Sequence, residues 1–504
     1  MTLRSCPWHT RCSFHPKPYG RIEQGVHMRL GRWWIAGLAA TSCGLSAGEA
    51  PPSTAEIDAL RRQVDALSQQ LRNLEARYAA DQAAATEQAA AEAAERADSP
   101  RVTLDAGGLR VRSADGAFEH RVRLRLAHDF AWFSQDDALK RALGDEQDGT
   151  DFRFARLTMQ GRLWDDITYK GEFEFAGQDG GDAPKFRDVY VQYNGIPYGG
   201  DRAFDLRIGH FKEPFSLDEL NAVTVRQFLE TPLLNVFAPS RNAGVQISDA
   251  LLGEPNAERL TWALGIFKET DDIPSSKDSD EDQGWQVTGR ISGLPVYADD
   301  GRRLLHLGAA YSRRNPDGAR LRYGLRPESR LALFRYADPD NLPIGFRLRD
   351  ARADDVNLFG LELAGVYGPL SLQSEYIRSD VDTTLGGDLR FDGWYVQGAW
   401  LLTGEHRPYR HDGGRFDAPK PARPFRLKGG ERGWGAWELA ARYGAVALSD
   451  GPMRGGEHES LTFGLNWYLN PNVRVSANYI RNDIEHDLYD GAFDVFQTRL
   501  QLEF

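Results

Sequence analysis

The chain is short of several things that would have fixed its class at once. Only three cysteines occur in 504 residues, and all of them (Cys6, Cys12, Cys43) fall in the first 50. The remainder therefore has no disulfide framework to stabilise it. No run of 18 residues is apolar and free of charge, and the mean hydropathy is −0.52, which excludes an α-helical membrane protein. Eight histidines remain after the leader, without HExxH or paired metal-ligand spacing, and they read as loop or girdle residues. The acidic run at 278–282 opens like a calcium loop. However, Gln283 stands where glycine is required and Gly289 where the last carboxylate should be, so a solvated acidic loop is expected and no metal. There is no P-loop, no GxGxxG in a strand–helix setting and no Ser/His pair on one outward face. We therefore expect neither enzyme nor cofactor.

The first 50 residues form a unit of their own. Arg29 and Arg32 precede the apolar stretch from Trp33 to Ala40, and small residues follow through Ala47 and Ala50, as in a secretory signal. Met28 is the better-placed start. A lipoprotein signal at Cys43 would need a leucine that Ala40-Thr41-Ser42 lacks. The leader's six basic and two acidic residues carry +4 of the chain's net −12, leaving the rest near −16. So acidic a chain is a poor partner for nucleic acid.

Residues 51–98 read as a periplasmic helix and linker. Ile57, Leu60, Val64, Leu67, Leu71, Leu74 and Tyr78 recur at 3-4 spacing, an a/d seam of three heptads. Three heptads are marginal alone, so self-association should depend on the domain C-terminal to them. Residues 79–97 turn to Ala, Glu and Gln, a helical or disordered spacer.

From about Glu119 onward, period-2 alternation recurs between turn signals and long helical periodicity is absent. Val122, Leu124, Leu126, His128, Phe130 and Trp132 oppose Arg121, Arg123 and Arg125. The last strand alternates up to a terminal aromatic, with Phe496, Thr498, Leu500, Leu502 and Phe504 on one face. Segments of this length suit tilted membrane-crossing strands. Connections alternate between tight (Asp165-Asp166, Gly368-Pro369, Asn470-Pro471-Asn472) and long and acidic (136–151, 271–282, 449–457). Such asymmetry is expected of a barrel with two unlike rims. Aromatics at strand ends (Trp132, Phe133, Trp394, Tyr395, Trp467, Tyr468) suggest interfacial girdles. The pattern predicts an all-β protein. It should be an antiparallel transmembrane β-barrel of about 16 strands over 99–504, preceded by a short coiled-coil helix. Residues 313–355 are ambiguous. A connection of some thirty residues, 212–243, is far longer than usual. Its apolar content (Phe215, Leu217, Phe228, Leu233, Leu234, Phe237) argues that it packs inside and constricts the pore.

Residues 207–245 read RIGHFKEPFSLDELNAVTVRQFLETPLLNVFAPSRNAGV. With LTGEHRPY at 402–409 and GAWELAARY at 435–443, this resembles the phosphate-selective porin O and P family. The resemblance implies a 16-stranded, trimeric channel in the outer membrane of a Gram-negative bacterium, with a loop folded into the pore. It implies passive diffusion of small inorganic anions, phosphate or polyphosphate, with Phe504 as the assembly signal and outer-membrane lipid around the wall.

Anion passage needs guanidinium or ammonium groups repeated along the path. Arg121, Arg123 and Arg125 share one face of the first strand, about 7 Å apart by strand geometry. Arg156 and Arg162 share one face of the second, and Arg207, Lys212, Arg226 and Arg241 belong to the strand and loop of the expected constriction. These nine are the candidate anion path. Two other readings stay open: a general or weakly selective pore whose arginines brace the wall against Glu and Asp, and a structural barrel tethered to the cell wall by the coiled coil.

Overall fold

The computed structural model describes residues 53–177, 184–200, 202–253, 257–268, 270, 284–316, 321, 323–338, 353–384, 387–428 and 433–504. The leader, its three cysteines and the acidic stretch 271–282 lie outside the described residues, as does part of 313–355. The chain divides into two compact units, between Gln88 and Ala89.

In the first unit the helix Thr54–Asp98 begins on a capping box. The Ser53 N–H donates to Glu56 Oε2 at 2.9 Å, and the Glu56 N–H reaches back to Ser53 Oγ at 3.4 Å. Helix continues through 79–97, where alanine, the best helix former, dominates. All seven residues of the heptad seam are exposed, from 38% at Ile57 to 68% at Leu74.

The second unit is a closed barrel of sixteen antiparallel strands. They are β1 (Phe118–Gln135), β2 (Gly149–Leu163), β3 (Ile167–Glu174), β4 (Lys185–Gly199), β5 (Arg202–Lys212), β6 (Arg241–Leu251), β7 (Leu260–Lys268) and β8 (Trp285–Ala298), followed by β9 (Arg303–Asn315), β10 (Ala353–Tyr367), β11 (Leu370–Thr383), β12 (Leu389–Leu401), β13 (Ala436–Asp450), β14 (Met453–Tyr468), β15 (Val473–His486) and β16 (Tyr489–Glu503). Each strand pairs with the next, and β16 pairs with β1 from Phe493↔Gln135 to Glu503↔Arg125. Phe504 completes the seam: its N–H donates to Leu124 O at 3.0 Å, and its carbonyl accepts from the Leu124 N–H at 2.6 Å. A short hairpin, Arg101–Asp105 with Gly108–Arg112, adds to the start of β1.

Alternation sorts the side chains as a wet-lined membrane barrel requires. On β14, His458, Ser460, Thr462 and Asn466 are buried inside, while Leu461, Phe463 and Leu465 are 38–51% exposed outside. Several expectations are corrected here. Residues 449–457 are no long loop: β13 and β14 extend through them to a two-residue turn at Gly451-Pro452, where Gly451 takes φ +54°. Tyr395 and Tyr468 are no girdle residues, since both point inward, Tyr395 onto Glu375 (2.7 Å) and Tyr468 onto Glu438 (2.9 Å). His210, His306 and His458 are buried inside as well, bonded to Arg187 O, to Glu362 and Tyr409, and to Asn482.

Inserts between β5 and β6, β9 and β10, and β12 and β13 enter the lumen. The first, residues 213–240, joins β5 to β6 and buries Phe215, Leu217, Phe228, Leu233, Leu234 and Phe237, as their apolar character requires. The second comes from the same rim, between β9 and β10. Its Glu328 accepts from Arg442 (2.6 Å), Thr462 (2.7 Å) and Ser460 (3.0 Å). The third, between β12 and β13, enters from the rim that carries Phe504, where most of the other described turns are tight. Arg290 donates to Gly413 O and Gly414 O, and the Phe416 N–H donates to Asn221 Oδ1 of the first insert at 2.9 Å.

Candidate functional site: a charged cavity beside the constriction

The first insert is held to the β10–β15 side of the barrel. Phe228 packs on Ala399 and Ala440, while Leu233, Leu234 and Phe237 pack among Val356, Leu358, Phe391 and Val446. Its backbone is pinned by wall side chains. Glu375 accepts from the N–H groups of Leu217 (2.9 Å) and Asp218 (2.7 Å), Asn466 donates to Gln227 O (2.7 Å), and Arg474 donates to Arg226 O (2.8 Å). At its far end Glu230 takes Arg153 in a two-pronged bond (2.6 and 2.8 Å) and Arg499 at 2.8 Å. Burial pushes the Glu230 carboxyl up, but these two guanidinium groups outweigh it and hold it at about 2.

The space left open lies against the opposite wall. A cavity of about 380 Å³ is lined by eight cationic side chains and five carboxylates. It gathers five of the nine sequence candidates: Arg125, Arg156, Arg207, Lys212 and Arg241. Arg125 pairs with Glu172 (2.6 Å), Arg156 with Glu174 (2.6 Å), and Arg241 with Asp188 (2.5 Å). The Lys212 ammonium donates to the Glu219 backbone carbonyl and lies 3.3 Å from its carboxylate. Arg207 differs from the rest. Its Nε donates to Gln192 Oε1 at 2.8 Å, its guanidinium lies over the rings of Tyr190 (4.5 Å) and Phe211 (5.3 Å), and among the described residues it makes no ion pair.

The other four candidates sit elsewhere. Arg121 and Arg123 share the inward face of β1 with Arg125 but lie at the rim, beside Glu119 (3.7 Å) and bonded to Glu503. Arg162 pairs with Asp165 at the β2–β3 turn, 3.1 Å away. Arg226 is buried within the insert against Asp218 (3.2 Å) and Glu219 (3.3 Å).

Sequence reasoning missed Lys170, Arg290 and Arg415, which also line the cavity. Lys170 shares the inward face of β3 with Glu172 and bonds Asp188, so its alternation was a usable signal. Arg153 gave no such signal. It is the extra residue of a bulge, because the register shifts between Ala127↔Phe154 and His128↔Phe152, and the bulge sends its side chain to Glu230.

A closed barrel, polar within and apolar without, narrowed by an inward loop, is matched over residues 121–504 by the model of one family, phosphate-selective porin O and P. The chain belongs to that family. Porin O of Pseudomonas aeruginosa is 26% identical over 437 residues, 79% of this chain and 91% of its own length. An uncharacterized protein of Caulobacter vibrioides is 28% identical over 429 residues, 82% of this chain and 79% of its own. Among solved structures, the anion-selective porin from Comamonas acidovorans covers 77% of this chain and all of its own, at 12% identity and a TM-score of 0.48. The protein is thus an outer-membrane porin, a channel by family and fold. The rim of short turns that carries Phe504 is its periplasmic side.

Proposed function

We propose that this porin passes small inorganic anions, phosphate or polyphosphate among them, by passive diffusion along the β1–β8 wall. The cavity beside the first insert supports this reading, for eight cationic side chains line it and one of them, Arg207, makes no ion pair among the described residues, while Glu174, Glu219 and Glu362 pair with its cations from behind the lining. The carboxylates hold Arg125, Arg156 and Arg241 in place and moderate their charge. An anion is thus attracted yet not trapped, as conduction requires. Arg207, planar and without an ion-pair partner among the described residues, presents its donors to an oxyanion. In planar bilayers, phosphate added to a chloride solution should reduce the chloride current in a saturable way. A chloride current indifferent to phosphate contradicts the reading.

The ion pairs favour a second reading, a weakly selective pore, because a charge neutralised by a neighbour discriminates little. The exposed heptad seam bears on assembly. We propose that it packs against the same helix of other copies, giving a homotrimer, with the helix free to contact the cell wall. The mass of the particle in detergent tests this: three copies are expected, and a single copy contradicts it.

A further inference from the structure

The outer wall carries a feature that ion passage does not use. Toward the periplasmic rim, a groove of about 970 Å³ crosses the outward face from β8 to β14. Its sides are Leu370, Leu372, Trp400, Leu439 and Phe463, each 46–51% exposed. Gly365 and Gly398 open it. A Cβ at Gly365 would meet only Leu304 O, at 3.5 Å, and one at Gly398 only Ser371 O, at 3.8 Å. Neither glycine has a positive φ, so the backbone does not require glycine there, and what the missing side chains leave is space.

Closer to the rim the apolar wall gives way to indoles. Trp437, two residues before Leu439, stacks on Trp467 with ring centroids 5.0 Å apart. Both indole N–H groups donate to Trp434 O, at 3.2 and 2.8 Å, and Phe425 meets Trp467 edge-on at 5.1 Å. Trp434 and Leu427 are each 78% exposed. The rim segment that carries Phe425 also carries cations: Arg423, Arg426 and Lys428 are exposed and make no ion pair among the described residues, and their stretch, 418–428, has no carboxylate of its own, although Glu405 accepts from the Ala422 N–H at 3.0 Å.

The order is hydrocarbon wall, indole layer, then cations that make no ion pair among the described residues, running from membrane depth to rim. It matches, layer for layer, the acyl chains, the glycerol-ester region and the phosphate of one kind of molecule. We propose that this wall is a binding site for an anionic glycerophospholipid of the periplasmic leaflet, its chains in the groove and its headgroup phosphate among Arg423, Arg426 and Lys428. The charge selects the class. A zwitterionic lipid fills the same groove but gains no net attraction from three cations that make no ion pair among the described residues.

The full-length porin, solubilised in detergent, can be titrated with phosphatidylglycerol and with phosphatidylethanolamine of identical chains, and bound lipid counted by native mass spectrometry. Phosphatidylglycerol should bind about tenfold more tightly. The pair R426E/K428E should reduce it to the phosphatidylethanolamine level, and G365L/G398L, which fills the groove, should weaken both lipids. Retained chloride conductance and heat-modifiable gel mobility show that the barrel is intact, and R426Q/K428Q replaces the reversal if assembly suffers. Equal binding of the two lipids, or unchanged binding in the charge variants, overturns the proposal. So does a variant that changes the number of subunits instead of the bound lipid, which assigns the wall to another copy of the chain. None of these outcomes depends on which ion the pore prefers.

Discussion

The two sides of the lumen use buried carboxylates for opposite ends. On the β10–β15 side, Glu375 and Glu438 accept from the insert, Glu375 from the backbone N–H groups of Leu217 and Asp218, and Glu438 from the Gln227 side chain at 3.0 Å. They work there as staples, in company with Phe228 on Ala399 and Ala440. On the β1–β8 side, Glu172, Glu174 and Asp188 bind side-chain cations across neighbouring strands and hold them toward open space. Removing a staple leaves buried N–H groups unpaired. Removing a partner on the other side leaves a buried charge alone. In the proposed anion path, one side therefore sets the bore and the other the charge that an ion meets.

The difference can be broken most severely at the apolar staple. Phe228→Ala removes a ring that is 1% exposed, with Arg442 stacked 4.4 Å from its centroid. A loss of about 3–5 kcal/mol is expected. Because the loss falls on the insert, single-channel conductance should rise and become noisy while ion preference changes little. A variant with wild-type conductance would mean that the insert is held elsewhere.

Acid should act more mildly and on one anchor. Glu230 is held at about 2 against an ordinary 4.5, so its contribution to holding the insert is complete above pH 4.5 and is lost as pH falls from 4.5 toward 2. Conductance noise should grow over that interval. In Glu230→Gln, already without the charge, the noise should be present at neutral pH and the acid-dependent increment absent.

Much of this division was legible in the sequence, for identifiable reasons. A barrel with a wet interior and a lipid exterior keeps strict period-2 alternation, so β16 could be read to its last residue and Arg125 assigned inward. The first insert was legible because thirty residues with six large apolar side chains need somewhere dry. The third was not, because its polar stretch at 402–435 looks like any exposed loop until Arg290 and Asn221 are seen to receive it. Nor could alternation pair the cations. Arg125 meets Glu172 across 47 residues of sequence, and only the register of β1, β2 and β3 brings them together. Arg153 was hidden by its bulge, which breaks the period that would have revealed it.

The division of labour rests most directly on Arg207, the cavity cation that makes no ion pair among the described residues. The decisive measurement is the zero-current potential of single porins in a potassium chloride gradient, for the wild type and for Arg207→Glu. The β1–β8 account predicts an anion-side potential for the wild type that moves toward zero or past it in the variant, at nearly unchanged conductance. A wild-type potential on the cation side, or one that Arg207→Glu leaves where it was, would contradict it.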